Sequence, residues 1–348
     1  MFKRAVLAPV FKYIFVMVAG GIILLFFVKF AMDMVSTGEK VTSAELGYLF
    51  DESLNALSVS EDQSEPIPGD PWPSDITINV GVGPNCGKFS SGGSWFSANK
   101  IIFSPSILKG RQLLAWTQSW YYPFEVDNFY FLTVKRSKYY LVYPSDSNVM
   151  SFVKSIDSIA LPSDTLEHIP KSFDVESIPE SQVVGKLGSA AQYDFVKFVF
   201  FKNAKIPANF NARYVKIDYS ECEADFDDDD CRGKVDFPNG KSSFFVGKPM
   251  LYGAIFTDDY ETYNCQLSRI YSRLSLMSEF YSKKADFLSH PSKFPSCELY
   301  SAVKTNLASI KNLAESKSTD YVQFQTVKDA LIESNNNLGD DSACMVLF

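Results

Sequence analysis

Between Cys222 and Cys231 the sequence reads EADFDDDD, the densest run of charge in the chain. A hard cation such as Ca²⁺ gathers about six to eight oxygen ligands. Asp225, Asp227, Asp228, Asp229 and Asp230 are the residues that could bring carboxylates round one point. The spacing is not that of an EF-hand, and the glycine such a loop needs is missing. No cofactor is therefore expected: a solvated acidic loop tip is the first reading and a Ca²⁺ site the second.

The six cysteines are Cys86, Cys222, Cys231, Cys265, Cys297 and Cys344. An even number, with no CxxC, reads as a disulfide framework in an oxidising compartment. Six cysteines permit 15 pairings. Local geometry favours Cys222 with Cys231 across the acidic loop, and Cys297 with Cys344 at neighbouring ends of two antiparallel helices. Cys86 is then left for Cys265.

Other chemistry is thin. Gly81-Val-Gly-Pro-Asn-Cys86, followed by Ser90-Ser-Gly-Gly-Ser94, partly resembles a phosphate cradle but lacks the lysine–serine ending of a P-loop, so a mobile loop held by Cys86 is expected. The chain has no G-x-S-x-G elbow and no HExxH. Its two histidines, His168 and His290, lie in a Pro/Ser-rich stretch and a helix breaker and read as surface residues. Trp116, Trp120, Tyr121, Tyr122 and Phe124 form an aromatic cluster that reads first as core packing and second as a binding platform. A formal charge of −8 argues against a nucleic-acid partner, which wants a basic face, and does not suggest an anionic lipid surface as a partner of the exported part. No catalytic residues are expected.

The elements that must position these residues begin with an uncharged run, Tyr13 to Val28, bracketed by Lys12 and Lys29. Continued through Met32, it matches the roughly 20 residues a helix needs to cross a bilayer. Lys3, Arg4 and Lys12 precede it, which places the short N-terminal end in the cytoplasm. Phe26, Phe27, Lys29 and Phe30 stand where a cleavable signal peptide would need small residues, so a retained anchor is expected. All six cysteines follow the run, in keeping with an exported bulk.

Residues 1–12 therefore read as a cytoplasmic tail, 13–34 as a transmembrane helix and 35–58 as a juxtamembrane amphipathic helix. That helix has a Thr42-x-x-Glu45 capping box and a stripe of Leu46, Leu49, Phe50, Leu54 and Leu57. Residues 59–75 hold four prolines and read as a linker. Residues 76–257 read as a β-rich domain. Expected strands lie over 76–82, 100–104, 129–134, 139–143, 195–201, 214–219, 234–237, 243–246 and 251–256, with a turn at 136–138. The segment 113–122 is ambiguous between helix and strand. Phe237-Pro-Asn-Gly-Lys241 supplies a hairpin turn. Residues 258–348 read as a helical subdomain, with helices over about 260–281, 297–315 and 319–335, the last stopping at Asn335-Asn-Asn-Leu-Gly339. Strands first and helices after give the α+β class.

The opening Lys3-Arg4-Ala5-Val6-Leu7-Ala8-Pro9-Val10, with a long hydrophobic helix and a β-rich head behind it, resembles archaeal type IV pilin-like precursors. The general plan is also similar to membrane-anchored surface proteins of archaea. The pilin resemblance implies cleavage near Arg4-Ala5 and packing of the helix in a filament core. Three functions follow as expectations. The first is a single-pass, membrane-anchored cell-surface or envelope protein acting as a binding or structural module, not an enzyme, with envelope proteins or copies of itself as partners. The second is a pilin-like subunit of a filament or secretion assembly. The third is a membrane-anchored hydrolase using paired carboxylates.

Overall fold

Phe195–Phe201 reads FVKFVFF, and a strand so apolar at nearly every position must be covered on both faces. It lies inside a six-stranded sheet. A computed structural model describes residues 29, 47–57, 64–67, 75–159, 174–188, 192–220, 222, 231–290, 297–340 and 344–348. Apart from Lys29, the expected cytoplasmic tail and transmembrane helix lie outside the described residues. Among those described, no helix is long and apolar enough to cross a membrane.

The described chain runs through a helix over 47–57 (α1), then strands β1 (Ser64–Ile67), β2 (Ile76–Val80), β3 (Lys88–Ser91), β4 (Ser94–Ser97), β5 (Ile101–Phe103), β6 (Ile107–Gly110), β7 (Leu113–Tyr121) and β8 (Glu125–Val134). These form two four-stranded sheets, β4-β3-β2-β6 and β1-β7-β8-β5. The first is antiparallel throughout. The third sheet takes β9 (Ser137–Tyr143), β10 (Asp174–Pro179), β11 (Phe195–Phe201), β12 (Arg213–Ser220), β13 (Arg232–Asp236) and β14 (Ser242–Val246), in the order β10-β9-β11-β12-β13-β14. Its first four members are parallel and its last two antiparallel. Helix α2 (Ser147–Ile159) follows β9, and the short α3 (Val183–Leu187) follows β10. The chain continues with α4 (Lys248–Phe256), α5 (Tyr260–Leu288), α6 (Tyr300–Glu315) and α7 (Tyr321–Asp340). The class is α+β, with a β-rich middle and three C-terminal helices.

Strand alternation divides the β11 side chains between two cores. Phe198 and Phe200 join Tyr140, Val142, Ile178 and Val183 in a small cluster. Phe195, Val199 and Phe201 face the main core. That main core is continuous from Phe50 in α1 to Leu338 in α7, so the helices share their interior with the sheets. Rings fill much of it: Phe103 lies 5.6 Å from Tyr263 of α5, and Phe244 of β14 stacks on Phe324 of α7. Asp259 caps α5 by accepting from the Thr262 amide at 2.9 Å.

Three disulfides join Cys86 to Cys265, Cys222 to Cys231 and Cys297 to Cys344, the same pairs that the sequence geometry favours. The hairpin at Pro238–Gly240 forms, with Gly240 at φ 77° and the Phe237 amide donating to Lys241 O at 2.9 Å.

Several expectations need correction. Residues 251–256 are helical: Gly247 turns the chain at φ 77°, Pro249 opens α4, and every residue from Pro249 to Phe256 is buried. A short helix apolar on all sides has no stripe, so periodicity cannot separate it from a buried strand. Within the expected linker, residues 64–67 pair with β7 as β1. The glycine- and serine-rich stretch is not a loose loop but a hairpin, with Gly92 and Gly93 at positive φ between β3 and β4. Helix α2 interrupts the expected run of strands. Ser137 and Lys138 belong to β9 rather than to a turn. Helix α7 runs past Asn335, whose side chain is bonded to the backbone of Leu347 and Phe348 instead of ending the helix. The ambiguous segment resolves as strand β7.

Candidate functional site

In an open parallel sheet the side chains free to meet a ligand gather beyond the carboxyl ends of the strands. Here β9, β11 and β12 end together. A crevice of about 390 Å³ lies there, lined by Pro144, Asp146, Asn148, Val149, Lys202, Asn203, Tyr219 and Cys222. Lys202 follows β11 at φ 53°, a left-handed conformation, and its ammonium sits 4.3 Å from the centre of the Tyr219 ring. Asp146 caps α2, accepting from the amides of Asn148 at 2.8 Å and Val149 at 3.4 Å. Burial pushes the Tyr219 hydroxyl well above its ordinary value, and the negative charges of Asp146 and Asp218 add to the shift. The phenol therefore stays protonated and offers a hydrogen bond.

Tyr219 also borders a second cleft, of about 430 Å³, walled by Asp218, Ser220, Lys234, Ser242, Thr319 from the turn before α7, and Tyr321 at its start. Ser242 donates to Asp236 across the β13–β14 pair, and Lys234 bridges the same carboxylate at 2.7 Å. Desolvation raises the Asp236 carboxyl, but its bonds to Lys234 and Ser242 outweigh this and leave it below the usual carboxylate range. A carboxylate so held is a weaker base than a free one.

Two lysines lie within the buried strands. Lys197 of β11 is fully enclosed and donates to the carbonyl oxygens of Ala254, Ile255 and Thr257. Lys138 of β9 bridges Asp174 and Glu176 of β10. Burial pulls the Lys138 ammonium down, but hydrogen bonds and charge from both carboxylates outweigh it and raise it above the ordinary lysine value. Each lysine is held by partners that fix the fold, and neither lines a cleft described above.

Asp225, Asp227, Asp228, Asp229 and Asp230 lie outside the described residues. Their flanks are joined by the Cys222–Cys231 bond, and Cys222 borders the first crevice. Among the described residues no group of three or more His, Cys, Asp or Glu could hold a metal ion. His168 also lies outside, while His290 is exposed at the end of α5 with Nδ1 3.1 Å from Asp286 O. Of the aromatic cluster, Trp116, Trp120, Tyr122 and Phe124 are core, and only Tyr121 is exposed. Cys86 anchors the Gly81–Cys86 turn to α5.

Each cleft contains one carboxylate among the described residues, Asp146 in the first and Asp218 in the second. A lysine, an amide, a phenol and a capped aspartate can bind a polar group by hydrogen bonds and charge. Lys202, Asn203 and Tyr219 have no motif in the sequence. What could have pointed to them is the placement of Lys202-Asn203 directly after an apolar strand. Comparison of the chain with protein-family models, curated proteins and solved structures finds no match.

Proposed function

We propose that this chain is a single-pass membrane protein whose α+β domain lies outside the cytoplasm and acts as a binding or structural module. The observation that carries the reading is the pairing of all six cysteines, every one placed after the uncharged run from Tyr13 to Val28. Such a framework is maintained where the surroundings oxidise thiols. Lys3, Arg4 and Lys12 before the run orient it with the short end inside. The crevice around Lys202 and Tyr219 supplies the binding surface, and its partners are envelope proteins or further copies of the chain. A narrower second reading, a subunit of a pilin-like filament, rests on the Lys3-Arg4 pair and the apolar segment behind it.

The test is thiol labelling of intact cells with a membrane-impermeant maleimide, before and after mild reduction. Labelling only after reduction is the expected result. Labelling that needs lysis but no reductant would place the domain in the cytoplasm and end this reading. Cleavage of the N-terminus between Arg4 and Ala5, read by mass spectrometry of the isolated protein, would favour the filament subunit.

A further inference from the structure

Among the described residues one face of the sheet β4-β3-β2-β6 is packed against the core and the other is largely exposed, except for Ser90 at its centre, which is buried. Phe96, Phe89 and Val80 occupy paired positions on the covered face, and Phe50 of α1 packs there, 5.0 Å from the Phe89 ring and 5.5 Å from that of Phe96. The opposite face is a row across all four strands: Trp95 pairs with Ser90, Ser90 with Asn79, and Asn79 with Ile107. Trp95 is 53% exposed and Ile107 52%. One step to one side of this row the same face carries Lys88 opposite Ser97, and one step to the other side Lys109 opposite Thr77, all exposed. Arg111 and Asp75 flank it, so the face is net positive in a chain of charge −8.

We infer that this open face rests on the headgroup layer of the membrane in which the chain is anchored. The inference rests on the membrane-anchored reading above and adds to it which surface of the domain meets the lipid. The tether enters at the edge of this sheet, on its covered face: a Cβ built on Gly47, the first described residue of α1, would lie 3.2 Å from Cβ of Phe96 on edge strand β4, so the preceding residues need only pass round that edge to reach lipid under the open face. Tyr48, the next residue of α1, is 69% exposed. Only the 12 residues 35–46 separate Gly47 from the expected transmembrane segment, a reach of about 40 Å at full extension. Indole and phenol rings with an apolar body and a polar edge partition to the headgroup level. Lys88 and Lys109 supply the charge that anionic headgroups attract, within a screening length of roughly 10 Å.

The experiment uses the full chain in nanodiscs of phosphatidylcholine and phosphatidylglycerol, with acyl chains either plain or brominated near the headgroup. Bromolipid is expected to quench part of the tryptophan emission, and Trp95→Phe to remove at least half of that quenching. Lys88→Glu with Lys109→Glu, which leaves every tryptophan in place, should lower the quenching about twofold. An alkaline carbonate wash of membranes separates the two ways of failing. Protein that resists extraction but shows the same quenching with and without Trp95 keeps its anchor and overturns this inference alone. Protein released by carbonate overturns the anchor and this inference with it. Cross-linking of two copies through this face, with no bromolipid effect, also overturns it and assigns the face to self-association.

Discussion

The Lys197 ammonium donates to the carbonyl oxygen of Ile255 at 2.7 Å and to that of Ala254 at 3.0 Å, where α4 runs out of intrahelical donors. A lysine in the middle of an apolar strand thus serves as the cap of a helix from another part of the chain. Removing it orphans buried carbonyls, each worth about 1–3 kcal/mol in desolvation. Lys197→Met keeps the volume and also relieves the burial of the amine, so its net cost should be about 1–3 kcal/mol, and Lys197→Ala should cost more because it also leaves a cavity. Urea unfolding with the disulfides intact reads both. A methionine variant as stable as the parent would mean the cap contributes no more than burying the amine costs.

Burial pulls Lys197 down to about 7 from an ordinary value of 10.5, against the opposing charges of Asp258 and Asp259. Between those two values the unfolded chain binds more protons than the folded one, so this group makes stability rise with pH. Below about pH 7 both states hold the proton, and its contribution is flat. The unfolding free energy at about pH 9 relative to pH 7 should therefore be higher in the parent than in Lys197→Met. The opposite ordering would contradict the direction assigned here.

The Cys86–Cys265 bond closes 179 positions and the Cys222–Cys231 bond only 9. In the loop-entropy account the first restricts the unfolded chain by about 5 kcal/mol and the second by about 2.5. Cys86→Ser with Cys265→Ser should accordingly lower the unfolding free energy about twice as much as Cys222→Ser with Cys231→Ser. Equal losses would point to strain or residual structure dominating over chain entropy.

Gly253 lies in a helix, where alanine would ordinarily gain about 1 kcal/mol. A Cβ there would sit 2.7 Å from two ring atoms of Phe103, itself fully buried among Phe129, Phe131 and Tyr263. Gly253→Ala should destabilise by about 1–3 kcal/mol through overpacking. A rise in the thermal midpoint would show that the ring can yield.

Leu54 of α1 is fully buried, and the Thr117 hydroxyl of β7 bonds to Leu57 O at 3.4 Å. Leu54→Ala should cost about 2–5 kcal/mol, as a core deletion does. No change in the midpoint would detach α1 from the domain and return it to a membrane or partner role.

What the sequence made legible follows a pattern. The periodicity that places Tyr260, Tyr263, Leu267, Ile270 and Leu274 on one stripe made α5 readable, because its other side faces water. Alternation did the same for β12. Helix α4 escaped because burial on every side erases the stripe, and β1 because prolines suggest a linker even where an edge strand tolerates them. The crevice was not legible for another reason. Asp146, Lys202 and Tyr219 come from three strand ends far apart in sequence, and only the parallel order β9-β11-β12 brings them together.

The bridge from Cys86 to Cys265 encloses the pair Cys222–Cys231, so one loop is nested within the other. A chain delivered from its N-terminal end exposes Cys86 and Cys222 to oxidation long before Cys265 arrives. Joining thiols in order of appearance gives Cys86–Cys222 and strands Cys231. Recovery of correctly bridged protein should then depend on an activity that reshuffles disulfides, and a producing host that only oxidises would accumulate isomers of identical mass.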